Sequence, residues 1–174
     1  MPAATKIEVW FQDEARVGQK TNRTRRWATK GTRPTALVDQ RFETAYIFGA
    51  ICPARDVGAA IISPCCNTQA MNLHLAEIAT QVEPGSHAVI ILDQAAWHTT
   101  KNLELPPNIS LDFLPPKCPE LNPVENVWQF LRNLYLSNLI FEDYEALVDR
   151  CCSAWNALVN EDKRIQSIGQ RDWL

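Results

Sequence analysis

The sequence predicts an α/β domain built on a mixed five-stranded sheet flanked by helices. Three observations carry this reading. Strand-length runs rich in β-branched and aromatic residues recur, one segment between them keeps apolar residues at helical spacing, and one run, HAVIILD at 87 to 93, is almost continuously apolar. At 174 residues the chain suits one domain with a full core, read as 1–174 with the core over 6–160.

The elements follow in order. KIEVWFQ, Lys6 to Gln12, reads as a strand that ends on the acids Asp13 and Glu14. TAYIFGAIC (Thr44 to Cys52) and VGAAIIS (Val57 to Ser63), joined by the turn PARD, complete an antiparallel three-strand meander. Asn67 or Thr68 then caps a helix whose apolar positions are Met71, Leu75, Ile78, Ala79 and Val82, and PGS at 84 to 86 stops it. HAVIILD has the pattern of a central strand covered on both faces, and it ends on Asp93. A short helix from Thr99 to about Leu105, a strand at 109–114, and helices from Pro123 to about Ser137 and from Glu142 to about Val159 close the domain.

Composition narrows the function. The N-terminus lacks a basic start followed by an apolar stretch, and no apolar run exceeds strand length, so the chain is read as cytoplasmic and without a membrane span. Six cysteines, Cys52, Cys65, Cys66, Cys118, Cys151 and Cys152, lack the spacing of zinc or redox motifs and read as reduced thiols. The net charge is small, yet residues 16–33 carry seven Lys or Arg and no acid. Such a run is either a solvated loop or a nucleic-acid contact, and Trp27 within it either stacks on a base or anchors the loop to the core.

The chemistry gathers on carboxylates. In open sheets, groups at the ends of central strands converge on one crevice, which would make Asp13 and Asp93 neighbours. In PPKCPELNPVENVW, Pro115 to Trp128, the prolines impose an extended approach to a helix with Asn122 as cap, Pro123 at its first position and Glu125 on its edge. Asn followed by Glu three residues later is also the pattern of a capping box, in which Glu125 would only satisfy the backbone of Asn122. Three gathered carboxylates would repel one another unless they shared hard divalent cations, which take oxygen ligands and serve phosphoryl displacement.

The motifs WFQDEARVGQ (10–19), RRWATKGTRP (25–34), ILDQAAWHTTK (91–101) and LPPKCPELNPVENVWQFLR (114–132) also carry a resemblance. Together they resemble the Asp-Asp-Glu (DDE) superfamily endonuclease domain of insertion sequence 630 family transposases, relatives of the mariner elements. The resemblance implies a ribonuclease H-like fold and a two-metal mechanism with Mg2+, for which Mn2+ substitutes. It implies Asp13, Asp93 and Glu125 as catalytic residues and metal ligands, and DNA, both transposon ends and target duplex, as substrate. The basic insertion at 16–33 corresponds to a DNA- or partner-contacting segment, with Arg23, Arg25, Arg26, Lys30 and Arg33 as its DNA-binding residues. A homodimer on DNA is implied, and the nucleoid is the expected location. The sequence departs from that family at Lys117 and Cys118, where relatives commonly show Tyr and Ser, and in beginning at the first strand without a helix-turn-helix region, whose role a separate N-terminal product would fill.

Around the acids, His98, Gln94 and Asn122 are expected to support the ligands or face the cleft, and Trp97 and Trp128 to pack beneath it. Glu14 points away from Asp13, because consecutive strand side chains face opposite ways, and is read as structural. Two other functions remain beside the transposase reading: a catalytically silent remnant acting as a DNA-binding or dimerisation module, and a nuclease acting on RNA hybrids.

Overall fold

A computed structural model of the chain describes residues 5–18, 27–32 and 42–170. Five strands form one sheet in the order β3-β2-β1-β4-β5, with β1 at Ile7–Gly18, β2 at Thr44–Cys52, β3 at Val57–Ser63, β4 at His87–Leu92 and β5 at Ile109–Phe113. β1 to β3 make the expected antiparallel meander, whereas β4 lies parallel to β1 and β5 parallel to β4. The sheet is therefore mixed, with β1 at its centre. Among the described residues, no helix is long and apolar enough to cross a membrane.

The pleat of β1 sorts the chain into two cores. Phe11 and Val17 face one side with Ile47 and Ile51 of β2, where they meet α2 (Val124–Leu131), α3 (Tyr144–Val159) and α4 (Arg164–Gly169). Trp10 faces the other side with Phe48 and Ala50, against Met71, Leu75 and Ile78 of α1 (Thr68–Gln81). Asn67 caps α1 as expected, accepting the Ala70 N–H at 3.0 Å. In α2 the stripe Val124, Val127, Trp128 and Leu131 is buried, and each such side chain contributes roughly 1.5–3 kcal/mol by leaving water.

Several boundaries differ from the sequence reading for identifiable reasons. β1 does not stop at Gln12 but continues to Gly18, because β2 supplies partners from Phe11↔Ile51 to Gly18↔Thr44. Asp13 and Glu14 therefore lie inside the strand. The expected helix from Thr99 to Leu105 is a set of turns, because Asn72 of α1 takes over its backbone groups: its Nδ2 donates to the Asn102 carbonyl at 3.2 Å and its Oδ1 accepts the Glu104 N–H at 3.0 Å. The helix from Pro123 to Ser137 is α-helical only to Leu131, and Arg132–Leu136 widens into a π turn. α3 begins at Tyr144, capped by Asp143, whose Oδ1 accepts the Ala146 N–H at 2.8 Å. α4 was not foreseen.

One glycine sets the spacing between layers. Gly49 lies directly across β1 from Asp13, and a Cβ there would stand 2.5 Å from Cη2 of Trp128 and 2.8 Å from Cζ3 of Trp155. Both rings close over a gap that only glycine leaves. Gly49→Ala is expected to cost about 1–3 kcal/mol by overpacking this contact, measured as a lower urea midpoint, while an unchanged midpoint would show that the rings shift without cost.

Candidate active site

The registers of β1 and β4 bring two acids to the same place. Their last bonded pair is Phe11↔Ile91, and Asp13 and Asp93 each stand two residues further along. β4 ends at Leu92, so Asp93 heads the loop that follows while Asp13 remains held by β2. Glu125 enters from α2. Together the three acids line one cleft of about 320 Å³ with Gln94, Lys117, Asn122 and the prolines at 115, 116 and 119.

Asn122 explains how the helix is aimed. Its side-chain amide donates to the backbone carbonyl of Gln12 at 2.9 Å, next to Asp13, and its Oδ1 accepts the Val124 N–H at 3.2 Å. One buried residue thus starts the helix and ties it to the central strand. The capping-box alternative for Glu125 does not form, because the Asn122 N–H donates instead to the Pro119 carbonyl at 2.9 Å. Glu125 is exposed and turns into the cleft. Before it, Lys117 adopts the left-handed region at φ 61° in the turn between Pro116 and Pro119.

Asp13 is held from the side. The indole N–H of Trp128, one turn beyond Glu125 on α2, donates to its Oδ2 at 2.8 Å. Burial pushes the Asp13 carboxyl up to about 7, against the hydrogen bonds from Trp128 and the Glu14 backbone, and the charges of Glu125 and Glu14 push the same way.

Glu14 does face the opposite side of the sheet, as the pleat requires, but it is connected to the cleft. Its Oε1 accepts from His98 Nε2 at 2.8 Å, Gln12 Nε2 at 2.9 Å and Trp97 Nε1 at 3.2 Å. The other nitrogen of His98, Nδ1, lies 2.9 Å from Asp93 Oδ1. With a carboxylate at each nitrogen, the buried imidazole donates from both. Burial opposes the charge on each partner, yet the contact prevails: Glu14 is lowered and His98 is raised.

His98 thus lies between the carboxylates of Asp93 and Glu14. Gln94 lines the cleft as expected and donates to the Leu114 carbonyl at 2.9 Å, tying the loop after β4 to the segment after β5. Trp128 packs in the core behind the cleft and also donates into it, to Asp13, whereas Trp97 packs with the core on the other side of the sheet and donates to Glu14 there. Sequence reasoning missed this; the glycine inside an otherwise apolar strand, Gly49, was the available signal for Trp128.

The donor chemistry fits a hard divalent cation. Three carboxylates share one cleft, and Asp13 gives up its proton only near 7 when no cation balances it. Among the described residues, no three His, Cys, Asp or Glu side chains are already gathered into a group that would hold a metal ion. Asp93 and Glu125 are exposed at the cleft, whereas Asp13 is partly buried. Cys66 is no competing soft ligand, since burial and then the charges of Glu14, Asp13 and Asp93 push its thiol up to about 11. All six cysteines are free thiols.

Of the basic residues expected to meet DNA, Arg23, Arg25, Arg26 and Arg33 lie outside the described residues. Lys30 is exposed in a turn closed by the Thr32 N–H on the Thr29 carbonyl at 3.0 Å. Trp27 is fully exposed and so does not anchor its segment to the core.

The Asp13 shift has a measurable consequence in protein stripped of divalent ions. A carboxyl raised from 3.8 to about 7 makes the folded state bind more protons at this site than the unfolded state between those values, so its contribution to stability falls as pH rises through that window. From about pH 5 to 6 the raised His98 stays largely protonated and the lowered Glu14 ionised in both states, but buried His74, lowered from 6.5 to about 4, takes up a proton on unfolding and works against Asp13 over the same interval. The thermal midpoint in chelator should therefore rise more steeply with pH across that interval in Asp13→Asn, where the His74 effect is unopposed, than in the wild-type chain; an equal slope in the two would contradict the assignment.

The model of the family described as DDE superfamily endonuclease matches residues 8–148, a span that includes Asp13, Asp93 and Glu125. The uncharacterized protein y4pE/y4sA of Sinorhizobium fredii is 59% identical over 129 residues, which cover 74% of this chain and 96% of that protein. Among solved structures, the Mos1 transposase paired-end complex with the left transposon end is similar at TM-score 0.66 and 14% identity, over 93% of this chain and 51% of that one. The Mos1 strand transfer complex is similar at TM-score 0.62 and 14% identity, over 94% and 55%. The chain thus spans about half the length of the Mos1 chains it matches. That likeness shows a ribonuclease H-like fold with its mixed five-stranded sheet, and with the family match over most of its length the chain belongs to the DDE superfamily of endonucleases.

Proposed function

We propose that this chain is a transposase catalytic domain of the insertion sequence 630 type, a metal-dependent DNA endonuclease and strand transferase that cuts transposon ends and joins them to target DNA. The observation that carries the reading is the convergence of Asp13, Asp93 and Glu125, from a central strand, a strand end and a helix start, on one cleft. Asp13, Asp93 and Glu125 would hold Mg2+, or Mn2+ in its place, as a pair of ions. Bound there, such ions supply Lewis-acid activation of water and neutralise charge on a phosphate. The Mos1 structures include paired-end complexes with Mn and with Mg.

The chain's own residues have separable tasks. Trp128 fixes Asp13, Asn122 holds the start of α2 against β1 so that Glu125 reaches the cleft, and His98 fixes Asp93. The basic segment at 16–33, including Lys30, would lie along the DNA backbone. Action on paired ends implies two copies of the chain.

A second reading, a DNA-binding or dimerisation module without catalysis, is favoured by one observation: the carboxylates are not gathered into a closed metal-binding group among the described residues. One experiment separates the two. Supercoiled plasmid is incubated with the chain and Mn2+ or Mg2+, with Asp93→Asn and Glu125→Gln alongside. Nicking that requires the cation and drops to background in both variants, at unchanged thermal midpoints, is expected. DNA retention without nicking by the wild-type chain would establish the module reading, and variants that nick as fast as wild type would remove these carboxylates from the chemistry.

A further inference from the structure

Asp93 presents a mechanical difficulty. It is the first residue beyond β4, and its side chain is 61% exposed. A carboxylate so placed would sample several rotamers, and a ligand that must be immobilised on binding loses affinity. Here one of its oxygens is already committed: Oδ1 accepts the Ala95 N–H at 2.9 Å and lies 2.9 Å from His98 Nδ1. That leaves Oδ2 for a cation.

The imidazole that makes this contact is itself fixed from behind. His98 is 2% exposed and its backbone N–H donates to the Ala95 carbonyl at 2.9 Å, so the loop folds its own histidine back under Asp93. Its ring orientation is then set by Nε2 on Glu14 Oε1 at 2.8 Å, with Trp97 standing edge-on to the ring at 5.8 Å. Glu14 sits on the rigid central strand, paired with Phe48 of β2, and Gln12 and Trp97 hold its Oε1 from two further directions. The exposed carboxylate is thus tied through one ring to the central strand of the sheet.

We propose that Glu14 is a positioning residue for the cation cleft, acting through His98 to fix the carboxylate of Asp93 from the far face of the sheet. The inference rests on the metal-dependent reading above. Neighbouring residues of β1 then serve one cleft by two routes: Asp13 directly, and Glu14 by way of the histidine that passes the sheet edge at the end of β4. Metal ligands gain affinity from partners that orient them, and loss of such a partner typically costs about 10–100-fold.

The test measures Mn2+ affinity of the full chain by the loss of free-ion electron paramagnetic resonance signal, with thermal midpoints as the control for folding. Glu14→Ala is expected to weaken Mn2+ binding by about 10–100-fold, and Glu14→Gln, which keeps the Oε1 acceptor without the charge, to recover most of that loss. Because both residues act in one chain of contacts, the double variant Glu14→Ala with His98→Ala should lose no more than the worse single variant. The proposal is overturned if Glu14→Ala binds Mn2+ like wild type, if Glu14→Gln falls as far as Glu14→Ala, which would mark a simple charge effect, or if the two single losses add. Asp93→Asn distinguishes the levels: binding lost there but kept in Glu14→Ala sinks this inference alone, and a wild-type chain that binds no Mn2+ sinks the metal-dependent reading with it.

Discussion

The cleft depends on a carboxylate placed where a sheet normally hides apolar side chains. Asp13 lies on the central strand, on the face that also carries Phe11 and Val17. Such a group is tolerated only if the structure around it supplies partners. The partner is the indole of Trp128, which reaches Asp13 because the residue across the strand pair is Gly49 and leaves room for the ring. Trp128 is three residues from Glu125 on α2, so the contact that stabilises the first acid also sets the position of the third. Fold and site share that joint.

Around this joint the three acids differ in freedom. Asp13 is fixed and half-buried, with its proton held to about 7, whereas Asp93 and Glu125 are exposed at the cleft rim. A site without cations is thus electrostatically unfinished, and burial rather than charge repulsion dominates the cost. The prolines at 115, 116 and 119 bring the chain to the cleft not as the extended backbone expected of them but through a turn at Pro116 and Lys117 and a 3-10 helix at Pro119–Leu121, and Asn122 converts that approach into a helix start bonded to the Gln12 carbonyl. Stiffness is therefore concentrated behind the site and freedom at its mouth.

Much of this was legible in the sequence. Strand-length β-branched runs gave four of five strands nearly to their ends, and the acids were found because each closes or follows a segment with a clear pattern. The extension of β1 to Gly18 was not legible: where a strand ends depends on whether its neighbour continues, and β2 continues. Residues 99–105 were misread as a helix because nothing local marks that Asn72, some thirty positions earlier, satisfies their backbone. The link from Glu14 to Asp93 was hidden for the same reason. Period-two alternation correctly sends Glu14 to the other face, and only the path of the loop after β4 reveals that His98 meets it there.

The central claim is that Asp13, Asp93 and Glu125 form one cation site. Crystals of the chain soaked in Mn2+ test it most directly, through anomalous density collected at the manganese edge. Peaks are expected within bonding distance of carboxylate oxygens from all three residues, about 2.0–2.2 Å for a hard six-coordinate ion, with Asp13 still bonded to Trp128 and Asp93 to His98. A cleft free of anomalous density at saturating Mn2+, with Glu125 turned to solvent, would contradict it.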